Sequence, residues 1–240
     1  MNGTPCGTVG RVSDPPSGRQ VKDLPYFAEA FAVILESAAK HQKVRFKIGN
    51  EPGLWTTRRI LNLNMAKALF LDRDGTLILD KVYLADPAGV ELLPGVLDGL
   101  TLARSRGYLL FLFTNQSGIG RGLHTIEDTQ RVNARLEELL LLPHPVFTEV
   151  CIAPEAPDQP MIYRKPSPRF ILEMIAKYSL DPAQSWMVGD SAADIGAGVG
   201  AGVNVAAVRT GRVDSASLPE ITVHRIPVFN HFGEFAVTLR

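Results

Sequence analysis

Cysteine is scarce in this chain: Cys6 and Cys151 are the only two, and they lie far apart. No disulfide framework is suggested, and a reducing compartment fits. Neither sign of charge prevails, with 25 Lys and Arg against 25 Asp and Glu. Net charge thus offers no electrostatic case for a nucleic-acid or membrane partner. No apolar run approaches the roughly 18–20 residues of a membrane helix. The opening residues also lack the basic start and apolar core of a secretory signal. The longest early apolar patch, Phe31 to Leu35, is short and far in. These absences predict a soluble cytoplasmic protein without nucleic-acid or membrane partners, and a monomer is expected.

What is present is 240 residues, 45% of them hydrophobic, enough for one α/β domain with material left over. Residues 1–24 are rich in Gly, Pro, Ser and Thr and predict disorder. Phe27, Ala30, Phe31, Ile34 and Leu35 recur at helical spacing and predict a helix over 25–41. A basic strand-like piece, Lys43 to Ile48, then Glu51-Pro52-Gly53, carries no evident chemistry. The expected division is a 1–64 extension and a 65–240 domain. Met65 stands just before the first clear strand, so either the native protein begins there or a helical segment precedes it. Both readings stay open.

From Met65 onward, apolar strand-like runs recur at Ala68–Leu71, Tyr108–Phe113, Val146–Ile152, Trp186–Val188 and Val203–Val208. Between them lie helical stretches at Val96–Arg106, Ile126–Leu142, Pro168–Tyr178 and Ala192–Ala201. Such alternation predicts βαβ units and a parallel sheet. Ligands then bind beyond the carboxyl ends of the strands. Asp72 and Asp74, Thr114 and Asn115, and Asp190 all occupy strand ends.

Asp72 and Asp74 flank Arg73 before Gly75, whose freedom permits a tight turn. Two carboxylates so close need help to stay ionised. A divalent cation with oxygen ligands provides it, and Mg²⁺ also takes phosphate oxygens. One carboxylate can then attack phosphorus, while the other protonates the leaving oxygen and later deprotonates water. Read alone, the pair could instead cap the next element. Thr114-Asn115-Gln116-Ser117-Gly118 offers a hydroxyl, amides and backbone N–H groups to phosphoryl oxygens, or a helix cap. Lys165 can neutralise a phosphoryl group, and Arg164 can grip phosphate or hydroxyls. Asp190 can complete a metal shell, and Asp194 is placed to orient Lys165. His124 and His144 stand alone beside helix ends, where surface or capping roles are expected.

In this order and at these spacings, the four segments resemble the four motifs of the haloacid dehalogenase (HAD) superfamily across roughly residues 67–212. The resemblance implies an α/β, HAD-like Rossmannoid three-layer sandwich with a mostly parallel sheet and no large cap. It implies a phosphatase in which Asp72 is the phosphorylated nucleophile and Asp74 the general acid/base. Thr114 and Lys165 would stabilise the phosphoryl group. Asp72, the backbone carbonyl of Asp74 and Asp190 would hold Mg²⁺.

Asp72-Arg73-Asp74-Gly75-Thr76, the run Thr114 to Gly122 and Arg164-Lys165-Pro166 are similar to the capless branch. That branch contains D-glycero-D-manno-heptose 1,7-bisphosphate 7-phosphatases and histidinol-phosphate phosphatases. A small phosphorylated metabolite is the implied substrate, with heptose bisphosphate first and histidinol phosphate or another sugar phosphate as the alternative. A catalytically silent binding module is remote, because the motif residues are intact. The resemblance implies substrate contacts at Arg73, Asp80, Tyr83, Asn115, Gln116, Ser117, Arg121, Arg164 and Ser191. Relatives often carry a zinc loop of four Cys and His donors before Arg-Lys. Here Cys151 keeps the first position, as an expected buried thiol, while Ala153, Met161 and Tyr163 fill the others. One donor cannot make a structural site, so no zinc is expected. Five prolines at 154, 157, 160, 166 and 168 are expected to stiffen the loop instead. Relatives often place a basic residue where Ser191 stands.

Overall fold

The computed structural model describes residues 65–240, together with two short strands, β1 (Phe46–Lys47) and β2 (Trp55–Thr56). β1 and β2 pair antiparallel, Phe46 with Thr56 and Lys47 with Trp55. The disorder expected for 1–24 and the helix expected for 25–41 lie outside the described residues.

Met65–Arg240 is built on a six-stranded sheet. Its strands are β3 (Lys67–Leu71), β4 (Tyr108–Asn115), β5 (Glu149–Ala153), β6 (Trp186–Gly189), β7 (Asn204–Val208) and β8 (Val228–Phe229). The spatial order is β5-β4-β3-β6-β7-β8, and every neighbouring pair is parallel. The chain leaves β3 toward β4 on one side and later returns to β6 on the other. Ligands bind at such a point of reversal, beyond the carboxyl ends of the strands.

β3 shows why the sheet is sandwiched. Successive strand side chains face opposite ways. Leu69 and Leu71 enter one core with Leu110, Leu112, Val188 and Val208, while Ala68 and Phe70 enter the other with Phe111, Phe113, Met187 and Val205. The first core is covered by α1 (Val96–Ser105), α3 (Ile126–Leu140) and α7 (Phe232–Thr238). The second is covered by α4 (Arg169–Tyr178) and α5 (Ala192–Ala201), where Phe170 meets the rings of Phe70, Phe111 and Phe113. A strand buried on both faces reads as a continuous apolar run, which is the form of Ala68–Leu71.

The helices between strands are short and their connections tight. Only α1 and a 3-10 turn at Pro87–Gly89 separate β3 from β4. Only α2 (Ser117–Gly120) and α3 separate β4 from β5. Neither insertion holds a cap domain. β8 and the helices α6 (Pro219–His224) and α7 lie beyond the strands and helices expected from sequence. Among the described residues no helix is long and apolar enough to cross a membrane.

Candidate active site

Sheet pairing runs one residue past the end of β3, because the Asp72 N–H donates to the Val188 carbonyl at 3.0 Å. This fixes the Asp72 side chain at the strand end, buried to 7% exposure. Lys165 comes from the segment before α4 and is itself 3% exposed. Its ammonium lies 2.5 Å from Asp72 Oδ1 and 2.6 Å from Asp194 Oδ1, and donates to the Phe113 carbonyl at 2.7 Å. Asn115 holds the same lysine by its backbone. Its Oδ1 accepts the Lys165 N–H at 2.9 Å and its Nδ2 donates to the Lys165 carbonyl at 3.1 Å.

Asp194 does two things at once. Its Oδ1 faces Lys165, while its Oδ2 accepts from the Ser191 N–H at 3.0 Å and the Ser191 hydroxyl at 2.5 Å. The bond from the Ser191 N–H belongs to the capping box that starts α5. The donors that Ser191 points at Asp194 are thereby committed to the helix end.

Ligand oxygens of Asp72, Asp190 and Asp194 lie within 4.8 Å of one another. Gly75 sits against Asp190 with φ +83°, and a Cβ there would approach Asp190 Oδ2 to 2.9 Å. Gly211 closes the other side, where a Cβ would overlap the Asp190 carboxylate. Burial raises the pKa of Asp72 to about 7, with Lys165 opposing and the Asp194 and Asp74 carboxylates adding to the rise. Burial likewise raises Asp190 to about 8, helped by Asp72 and Asp194. For Lys165 burial works against the charge, but the carboxylates of Asp194 and Asp72 outweigh it and its pKa is raised. The site therefore gathers more acid than one ammonium can balance. Hard oxygen donors of this kind suit a divalent cation, so the donor set fits a metal ion.

The carboxylate of Asp74 lies outside that cluster. Arg73 forks onto it, with Nε to Oδ2 at 3.0 Å and Nη2 to Oδ1 at 3.1 Å. Gln116 Nε2 donates to Asp74 Oδ2 at 2.9 Å and to Thr114 Oγ1 at 2.7 Å. Arg73 itself corrects an expectation. Proposed from sequence as a substrate contact, it is completely buried, and its Nη1 donates to Asn133 on α3 at 2.8 Å. With no exposed face it braces Asp74 from behind. Asn133 was missed, since an asparagine inside an amphipathic helix carries no local signal of what it meets.

Asp80 accepts the Val82 N–H at 2.9 Å in a tight turn, and Arg212 stands 3.9 Å from its other oxygen. Tyr83 is exposed, and its hydroxyl accepts from Arg121 Nη1 at 2.9 Å. Ser117 opens α2. Arg164 is half-buried, and its Nη1 donates to the Glu155 carbonyl at 3.3 Å. His124 departs from its expected surface role. It is 7% exposed and packs with Tyr83 on the bare face of Gly118, where a Cβ would meet both rings. Burial, with Arg73 nearby, holds its pKa below the usual histidine value. His144 remains on the surface, facing Glu137 at 3.1 Å.

Cys151 is fully buried on β5, and Cys6 lies outside the described residues. A cavity of about 710 Å³ between α3 and the edge strand β5 contains none of the acidic cluster.

Three comparisons bear on this geometry. A profile of the HAD-hydrolase-like family matches residues 162–235. A D-glycero-beta-D-manno-heptose-1,7-bisphosphate 7-phosphatase of Helicobacter pylori is 37% identical over 142 residues, covering 59% of this chain and 82% of that protein. One of the same name from Mesorhizobium japonicum is 38% identical over 165 residues, covering 64% of this chain and 75% of its own length. Among solved structures, the D,D-heptose 1,7-bisphosphate phosphatase of B. bronchiseptica, complexed with magnesium and phosphate, superposes with a TM-score of 0.64 at 28% identity. That match covers 71% of this chain and 96% of the B. bronchiseptica chain.

Proposed function

Because this chain belongs to the heptose-1,7-bisphosphate 7-phosphatase branch of the HAD hydrolases, we propose that it removes the 7-phosphate of a D-glycero-D-manno-heptose 1,7-bisphosphate in a magnesium-dependent reaction. The observation that carries this reading is the meeting of Asp72, Asp190, Asp194 and Lys165 beyond the ends of β3 and β6.

We assign Asp72 as the nucleophile. Its Oδ1 is engaged by Lys165, and its Oδ2 has only a long contact of 3.5 Å with the Thr76 hydroxyl. An oxygen so lightly held is available to attack phosphorus in line with the leaving sugar oxygen. Lys165 balances charge on the phosphoryl group, and Thr114 offers its hydroxyl to the same oxygens. Asp194 keeps the lysine aimed, and Asn115 keeps its backbone in place.

Asp74 protonates the leaving oxygen, then takes a proton from the water that cleaves the aspartyl-phosphate. Arg73 and Gln116 hold its carboxylate ready while leaving it half-exposed to substrate and water. Asp72, Asp190 and the backbone carbonyl of Asp74 would hold Mg²⁺, in keeping with the magnesium and phosphate of the B. bronchiseptica relative. When bound, that ion would offset the negative charge of the phosphate facing the attacking carboxylate. Tyr83, Arg121 and Arg164 would receive the sugar and its second phosphate.

Phosphate release from a panel tests the assignment. It comprises heptose 1,7-bisphosphate, fructose 1,6-bisphosphate, histidinol phosphate and an aryl phosphate, each with and without Mg²⁺. The highest kcat/KM is expected on the heptose bisphosphate, with activity lost in chelator. A preference for histidinol phosphate overturns the substrate.

A further inference from the structure

The chain leaves β5 at Ala153, turns through an exposed stretch, and returns with Arg164 and Lys165. Prolines at 154, 157 and 160 lack backbone N–H groups, so this stretch has few main-chain donors with which to close itself. The outgoing arm is tied to the end of β4, where the Gln116 N–H donates to the Ala153 carbonyl at 2.7 Å and the Gly120 N–H to the Pro154 carbonyl at 3.0 Å. The returning arm is tied at Lys165 by Asn115.

Glu155 joins the two arms. It is 9% exposed. Its Oε1 accepts the Ile162 N–H at 3.2 Å and the Tyr163 N–H at 2.7 Å, while its own carbonyl accepts from Arg164 Nη1. Its Oε2 is buried without a hydrogen-bonding partner. A buried carboxylate with one oxygen unserved is expensive, and packing alone would be better met by an apolar residue. Hydrogen bonds to a charged oxygen are, however, stronger than neutral ones, and two of them here fix the residues just ahead of Arg164. Tyr163 also stands at one of the positions where zinc-loop relatives carry a cysteine.

We propose that Glu155 is a positioning residue: by clamping Ile162 and Tyr163 it aims Arg164 at the substrate. This rests on the reading of Arg164 as a substrate contact. It makes Glu155 a determinant of substrate affinity rather than of the chemical step.

The test measures KM and kcat on the panel above for the wild type, Arg164→Ala, Glu155→Ala, Glu155→Asp, Glu155→Gln and the Glu155→Ala/Arg164→Ala pair. The reporter is whichever substrate suffers the largest rise in KM from Arg164→Ala. On it, Glu155→Ala should raise KM about tenfold, as loss of a hydrogen bond to a charged group does, with kcat little changed. Glu155→Asp is too short to reach both donors and should behave alike. Glu155→Gln retains the accepting Oε1 without its charge and should raise KM by less than Glu155→Ala does. The double variant should be no worse than Arg164→Ala, because both act through one guanidinium.

Unchanged KM in the Ala or Asp variant overturns the proposal, as does a fall in kcat without a rise in KM, or multiplying effects in the double variant. If Glu155→Ala fails to fold, the Asp and Gln variants decide between the same outcomes. If Arg164→Ala raises KM on no substrate, the proposal fails with it. A reporter other than the heptose bisphosphate removes the substrate assignment but leaves this test intact.

Discussion

Replacing Lys165 by methionine keeps the length of the side chain and deletes its charge. The ammonium lies 2.5 Å from Asp72 and 2.6 Å from Asp194, and the three side chains are 2%, 10% and 2% exposed. Water cannot take its place. Removing one partner of a buried ion pair costs about 3–5 kcal/mol, because the other charge is left uncompensated. Part of that cost is escaped when the stranded Asp72 carboxylate takes up a proton. A net loss of about 3 kcal/mol at neutral pH is expected, and at about 2–4 °C per kcal/mol the melting temperature should fall by about 6–12 °C. The direction with pH follows from the same contacts. Lys165 holds the Asp72 pKa down, so its removal lets that carboxyl climb further above about 7. The penalty should therefore be smaller at pH 5, where Asp72 is protonated, and greatest at pH 9. Thermal unfolding by circular dichroism in chelator at pH 5, 7 and 9 measures this, alongside phosphatase activity, which should fall at least about a hundredfold. An unchanged melting temperature at pH 9, or a penalty that grows toward acid, refutes the buried triad.

Asp72 and Asp190 keep protons in the folded chain up to about pH 7 and 8, whereas their ordinary value is 3.8. The folded state thus binds more protons over that window, and the stability these groups confer below about pH 4 is lost as pH rises through 7 and 8. Metal-free denaturation from pH 4 to 9 should show this downward slope, and added Mg²⁺ should flatten it by competing with the protons; an upward slope from these groups contradicts the shifts. Gly75→Ala would force a side chain into φ +83° and bring its Cβ to 2.9 Å from Asp190 Oδ2. The Mg²⁺ concentration for half-maximal activity should rise by about tenfold or more, as when the support of a metal ligand is disturbed; an unchanged value would mean that Asp190 does not serve the metal.

Much of the sheet was legible because strands buried on both faces are bare apolar runs. Ala68–Leu71, Trp186–Val188 and Val203–Val208 fall within a residue of β3, β6 and β7. β8 has two residues, Val228–Phe229, too few for any periodicity to register. β5 begins at Glu149 rather than Val146, because Val146 and Phe147 are buried in the core from the preceding connection. The residues at the strand ends could be named from spacing, but the direction in which a loop side chain points is a tertiary fact. Arg73 lies between two site aspartates and turns inward to Asn133, sixty positions away. His124 looked like a helix-end residue and is buried because Gly118 has no side chain to keep its ring out. Glu155 was hidden among prolines, and only the returning arm of the loop gives it partners.

Covalent trapping on Asp72 tests the central claim most directly. The enzyme is mixed with Mg²⁺ and its best panel substrate, quenched in acid within the first turnovers, and digested for mass spectrometry. The account predicts a phosphate mass on the peptide containing Leu71-Asp72-Arg73, and none in Asp72→Asn, which should also be inactive. Phosphate on another residue, or undiminished turnover by Asp72→Asn, would contradict it.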